Sequence, residues 1–187
     1  MALENRDRAR IIEILTEAFK TNLSVTYMIP DGPKKSRKIR GLMEYAVAVC
    51  EEQGKFVLSL DRNCCALVLF PHLNKTSVRR IFLDLKLAFQ VVGIRRLWNV
   101  LRRESLIKKR HPIEPFYYLW FIGVDPRMAG NGLGSALLEQ LTADAESMNL
   151  ALYLETSTQQ NIPWYQRFGF RIYDQLDLGY RLYFLKR

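Results

Sequence analysis

Residues Val124 to Leu138 read VDPRMAGNGLGSALL, setting Gly130, Gly132 and Gly134 between an apolar strand and an amphipathic helix. Glycine reaches backbone angles that other residues avoid, so consecutive N–H groups can turn toward one ligand. The first N–H groups of the following helix have no intrahelical partner and sit at the positive end of its dipole. Strand, glycine loop and helix together make a cradle for a pyrophosphate, which narrows the ligand to a nucleotide-like cofactor.

The pattern around this unit is that of an α/β chain. Apolar residues recur at helical spacing over Asp7–Lys20 (Ile11, Ile14, Leu15, Ala18, Phe19) and over 34–53 (Ile39, Leu42, Met43, Ala46, Val47, Cys50), with a Pro30-Asp31-Gly32-Pro33 turn between them and Gly54 as the stop. Lys55–Leu60 and Cys64–Phe70 read as a hairpin around Asp61-Arg62-Asn63. Ser77–Arg110 reads as helix, broken near Gly93. Its first half is apolar nearly all round, which implies heavy burial or a partner surface. In its second half Leu97, Trp98, Leu101 and Leu106 alternate with arginines as the buried side of a docked helix. Phe116–Val124 is a wholly apolar strand, hence central. A helix over 132–148, a strand over 150–156, a short helix over 161–168 and strands at 170–173 and 178–185 complete the order.

The 187 residues, 49% hydrophobic and 25% charged, fit one soluble domain with a sizeable core. The charged start MALENRDRARIIEIL does not resemble a signal peptide, and charges interrupt the longest apolar stretch, 81–101, so no membrane span is expected. Cys50, Cys64 and Cys65 form neither a disulfide framework nor a metal-binding spacing, which suits a reducing, cytoplasmic setting. The net charge of +9 attracts anions: nucleic acid, an acidic membrane surface or a phosphate-rich cofactor. No signature of a nucleic-acid module accompanies the basic run 95–110.

A dinucleotide site in a Rossmann unit would explain the strand, the glycines and Glu155 about 20 residues on. The spacing is GxGxG rather than GxGxxG, however, and too little chain follows Glu155 to complete that fold. The residues resemble instead the GNAT acyl-CoA N-acetyltransferases, whose pyrophosphate loop has the form [Q/R]-x-x-G-x-[G/A] after a strand ending in V-x-P. Val124-Asp125-Pro126 and Ala129-Gly130-Asn131-Gly132-Leu133-Gly134 stand in those places. A second motif follows in LYLETSTQQNIPWYQRFGF, with Asn161, Tyr165, Gly169 and Phe170 at the family's spacing.

The resemblance, clear over 116–187, implies a GNAT-like mixed, mostly antiparallel sheet flanked by helices, an α/β (α+β) fold with an extra helical insertion at about 77–110. The whole chain, 1–187, would be one N-acetyltransferase-like domain. It implies acetyl-CoA or another acyl-CoA as co-substrate, held by Ala129, Gly130, Asn131, Gly132, Leu133, Gly134 and Ser135. Ile122 and Val124 would contribute their backbone to the pantetheine and the thioester carbonyl. Asn161 would bond the pantetheine or cap the short helix, and Tyr165 would be the catalytic acid to the departing thiolate. No metal is implied. The acceptor would be a small-molecule amine or a peptide, and a homodimer is compatible with the apolar helix at 81–92.

Two departures stand out. Ala129 occupies the Gln/Arg position, which leaves the cradle to its backbone, while Arg127 heads a literal R-x-x-G-x-G two residues early. The family's usual opening strand is not visible before the first helix. The general base is open among Glu155, which could instead make a structural hydrogen bond, His72 and His111. Tyr117, Tyr118 and Trp120 are core residues or acceptor-pocket walls. A CoA-binding module without activity, and a basic interaction module, stay as alternatives.

Overall fold

The structure, a computed structural model, describes residues 4–73 and 77–187, with the backbone alone at positions 94 and 95. Helices α1 (Asn5–Ala18), α2 (Leu23–Met28) and α3 (Lys35–Gln53) precede the hairpin β1 (Gly54–Leu58) and β2 (Cys64–Leu69). Next come α4 (Val78–Lys86), a π-helical stretch Leu87–Val92 and α5 (Ile94–Lys108), then β3 (Phe116–Val124). Helix α6 (Leu133–Ser147), β4 (Ala151–Thr156), α7 (Ile162–Arg167) and the hairpin β5 (Arg171–Asp177) and β6 (Arg181–Lys186) follow. The strands form one six-stranded sheet in the order β1-β2-β3-β4-β6-β5. Only β3 and β4 run parallel, so the sheet is mixed, mostly antiparallel and flanked by helices, as expected. No strand precedes α1 among the described residues.

One irregularity shapes the molecule. Leu67 faces Phe121 and Val68 faces Leu119, so Trp120 is an extra residue in β3 opposite β2. A bulge of this kind bends its strand and shifts the alternation of side chains by one. Before it, Phe116 and Tyr118 pack on one core and Tyr117 and Leu119 on the other; after it, Phe121 joins the first and Ile122 and Val124 the second. The bend ends the parallel pairing: β3 and β4 are registered only from Phe116↔Ala151 to Tyr118↔Tyr153. Beyond that point they part, and a cleft opens between them.

Both faces of the sheet are covered. Helices α1 and α3 pack on the side of Cys65, Leu67 and Leu69, and α6 and α7 on the side of Cys64, Ala66 and Val68. Alternation along β2 thus sends successive residues into two cores, which is why every residue of that strand is buried.

Several sequence-based boundaries move. Helix α2 was not foreseen, and the last two strands run 171–177 and 181–186. Gly54 does not end α3 through a left-handed cap, since its φ is −160°; a Cβ there would lie 1.9 Å from the Val68 carbonyl oxygen, so the position needs glycine for space. The first half of the 77–110 insertion is not heavily buried: of its apolar residues Val91 and Val92 are covered, whereas Ile81, Phe82, Leu85 and Phe89 are exposed. Nor does α5 dock through Trp98 and Leu101, which are exposed; Val100, Arg103 and Ile107 face inward. Arg103 can do so because the Tyr180 hydroxyl and Glu104 receive its guanidinium. No helix among the described residues is long and apolar enough to cross a membrane.

Candidate active site

The cleft between the parted ends of β3 and β4 has a volume of about 980 Å³. One wall is the end of β3 with the glycine loop and the start of α6; the other is the end of β4 with α7. The α1–α2 connection and residues Arg181 and Tyr183 of β6 close its far side. Ile122, Val124, Ala129, Gly130, Gly132, Leu133, Gly134, Ser135, Asn161 and Tyr165 all line it, whereas Asn131 does not.

On β3 the backbone faces the opening. The Asp125 N–H donates to the Asn63 carbonyl at 2.8 Å. Antiparallel pairs alternate between bonded and non-bonded, so Gly123 and Phe121 also face β2 while Ile122 and Val124 turn their N–H and C=O groups the other way. That is the side from which β4 has withdrawn, and these groups border the cleft unpaired by the sheet.

The loop after β3 is pinned by Asp125. Its carboxylate receives Arg127 at 2.7 and 3.0 Å and Arg10 of α1 at 2.7 Å, and also the Arg127 backbone N–H at 3.0 Å. Arg127 and then Arg10 hold this carboxyl well below the usual carboxylate range. The same pairing occupies the Arg127 side chain, so the early R-x-x-G-x-G does not deliver a cation to the glycines. Gly130 and Gly132 take φ values of 85° and 76°, a region that favours glycine, and Gly132 is the N-cap of α6. The expected row of backbone donors is shorter than Ala129 to Ser135. Ala129 donates to Pro126 and Ser135 to the Gly132 carbonyl, which leaves Gly130, Asn131, Gly132, Leu133 and Gly134 without an internal acceptor among the described residues.

Gly134 has a different reason. A Cβ there would crowd Val124 Cγ2 at 3.3 Å, while Trp164 Cζ2 at 3.7 Å would be in ordinary contact, so its absence lets α6 approach β3. Trp164 donates from Nε1 to Ser135 Oγ at 3.0 Å, clamping α7 against the start of α6. Helix α7 ends in a Schellman arrangement: Gly169 (φ 83°) donates to Gln166 and Phe170 to the Tyr165 carbonyl, burying Phe170. Tyr165 is thereby fixed between Trp164 and Phe170, 5% exposed and lining the cleft, and its hydroxyl has no partner among the described residues. Burial holds this phenol well above its ordinary pKa, so it keeps its proton throughout the neutral range. Asn161 precedes α7, but its side chain makes no cap bond.

Beside the cleft, Glu155 of β4 accepts from the Tyr118 hydroxyl at 2.5 Å and meets His111 Nε2 at 2.6 Å. Two of the residues left open as base therefore form one bonded group, which the sequence did not reveal because they lie 44 positions apart. His72 is exposed beside Phe70 and does not line the cleft. Trp120 lines it, Tyr117 is core, and Tyr118 belongs to the Glu155 group. The three cysteines are buried and reduced, and burial pushes the Cys50 thiol up to about 12, with Cys64 and Cys65 also raised, so none is an activated nucleophile.

Residues 79–170 match the model of the acetyltransferase (GNAT) family. A solved structure described as a histone acetyltransferase HPA2 and related acetyltransferase, from Corynebacterium glutamicum, shares 21% identity at a TM-score of 0.69, covering 100% of this chain and 93% of its own. Arylalkylamine N-acetyltransferase 2 from Aedes aegypti shares 14% at 0.65, covering 100% and 96%. The C-terminal condensation domain of Ebony, solved with beta-alanyl-dopamine, shares 9% at 0.69, again covering 100% and 96%. These likenesses establish the fold.

Proposed function

From the premise that the chain is a GNAT-family protein, in matched pattern and in fold, we propose an enzyme that moves an acetyl or other short acyl group from acyl-CoA to an acceptor amine. The observation that carries this reading is the meeting of two separate motifs on one cleft: the free N–H row at 130–134 and the buried phenol of Tyr165, joined by the Trp164–Ser135 bond. The pyrophosphate would lie on the N–H row, and the outward-facing backbone of Ile122 and Val124 would receive the pantetheine amides.

In this reading the amine attacks the thioester directly in a ternary complex. Attack requires a neutral amine, and Glu155 with His111 offers a place for its proton beside the reacting carbon; the carboxylate also favours an approaching ammonium. The Val124 N–H faces the carbonyl and offsets the negative charge that develops there, an effect worth roughly 3 kcal/mol for a single fixed donor. Tyr165 then protonates or hydrogen-bonds the departing thiolate. Much of the acceleration would come from holding both reactants in line.

The direct test is release of free CoA thiol from acetyl-CoA across a panel of small amines and peptide N-termini. Amine-dependent release is expected. Tight CoA binding with no release on any acceptor would favour a cofactor-binding module, the alternative that Ala129 in the Gln/Arg position supports.

Glu155→Gln separates a base from a scaffold. It keeps the shape and one hydrogen-bond acceptor but loses the charge, and turnover near neutral pH should fall by about 10²-fold. The deficit should shrink as the pH approaches the acceptor's own pKa, where the amine sheds its proton unaided. Unchanged turnover at neutral pH would make Glu155 a structural residue.

A further inference from the structure

No described residue of the 78–110 insertion lines the cleft, yet this segment concentrates two surface properties. Val78, Ile81, Phe82 and Leu85 recur at helical spacing on α4 and are all exposed, and the row continues into Phe89 (62% exposed). On α5, Trp98 is 76% and Leu101 54% exposed. Single apolar residues on a surface are ordinary, but a contiguous row of them marks an interaction face. The same residues, 78–110, hold ten Lys and Arg against only Asp84 and Glu104, and so carry eight of the chain's nine net positive charges. Some are consumed internally: Arg79 on Glu52, Arg103 on Glu104 and Tyr180, Arg110 on Asp174. Lys86, Arg102, Lys108 and Lys109 are exposed with no acidic partner among the described residues. Arg102 and Lys109 fall one and three turns after Trp98, on its own side of α5.

The occupant must satisfy both properties. A second copy of the chain would set the same positive excess against itself, and like charges across an interface are strongly unfavourable. A nucleic-acid duplex would use the charge and leave the apolar row in water, since phosphates and base edges are met by polar and cationic side chains, and Val78, Ile81 and Leu85 offer nothing on which an unpaired base could stack. An anionic lipid surface offers headgroup phosphates to the cations and a hydrocarbon boundary to the apolar row. We propose that residues 78–110 seat the protein on an anionic membrane surface, with Phe82, Phe89 and Trp98 entering the headgroup boundary and Lys86, Arg102 and Lys109 on the phosphates. The cleft, which uses none of these residues, stays open to its reactants.

The test is co-flotation of the full chain with phosphatidylcholine vesicles, with and without about one-third phosphatidylserine. Binding to the anionic vesicles should be at least about tenfold tighter than to the neutral ones and should weaken sharply at high salt. Tryptophan emission should shift to the blue on binding, and Trp98→Phe should remove that shift. Arg102→Ala with Lys109→Ala should lower vesicle affinity roughly thirtyfold. Phe82→Ser with Phe89→Ser should lower it about tenfold or more. All these side chains are exposed, so the circular dichroism of each variant should match the parent. Equal affinity for both vesicle types, or vesicle binding that survives both double variants, overturns the proposal. So does a dimer in sedimentation that the two Phe→Ser changes dissociate, which would give the face to a second copy. Binding of DNA or RNA without binding of anionic vesicles would overturn it as well.

Discussion

Gly132→Asp is expected to abolish CoA binding while leaving the fold intact. The residue is the N-cap of α6 at φ 76°, and nothing lies within 4 Å of the Cβ it would gain, so the new side chain meets no obstacle. The left-handed backbone costs a non-glycine residue about 1–2 kcal/mol, and Asp is one of those that adopt it most readily. What changes is the charge. A carboxylate would stand among the free N–H groups of 130–134 and occupy the place proposed for the pyrophosphate. Two unit charges about 4 Å apart repel by roughly 4 kcal/mol at an effective dielectric of about 20, so even after screening the loss should exceed about a hundredfold in Kd. Gly132→Asn is the matching control: nearly the same shape, tolerant of the same backbone, and uncharged. Calorimetric titration with CoA should show affinity lost in the first variant and largely kept in the second. If the two bind alike at parental strength, the pyrophosphate does not sit on this loop.

What could be read in advance follows a physical line. The ends of β3 were legible because nine apolar residues bounded by Pro115 and Asp125 leave no other reading, and the glycine loop because its spacing is local. The Asn161, Tyr165 and Gly169-Phe170 motif was legible for the same reason. Features fixed by distant partners were not. Helix α2 is six residues long and includes Val25 and Thr26, too short for a period; it is tied down by Asn22 and by Ser157, 133 positions from Ser24. The bulge at Trp120 exists only in the register with β2, and it is what parts β3 from β4. The face of α5 was legible only in part: Leu106 packs inward as expected, but Trp98 and Leu101 do not, and the buried side includes Arg103, whose guanidinium the distant Tyr180 receives. For the same reason Glu155 and His111 appeared as separate candidates for the base, and only the fold joins them.

Tyr165→Phe should divide binding from chemistry. The ring would keep its contacts with Trp164 and Phe170, 4.6 and 5.7 Å away between centroids, and its hydroxyl gives up no internal hydrogen bond among the described residues, so stability should hardly change. CoA affinity should also persist, because the N–H row and the β3 backbone are untouched. Turnover should fall by about 10²-fold or more, the usual worth of a positioned acid. The sign of the pKa shift makes this a test of donation in particular. Burial raises the phenol, so it carries its proton across the whole assay range, and the wild-type pH–rate profile should show no loss from Tyr165 ionisation on either side of neutrality. A phenol activated as a base would behave in the opposite way, with its deprotonated form needed and absent. The deficit in the variant should therefore be the same at every pH at which the amine can react, and should appear in kcat with little change in Kd for CoA. Wild-type turnover would remove Tyr165 from the chemistry and leave it as packing; a loss confined to cofactor affinity would make it a wall of the binding site.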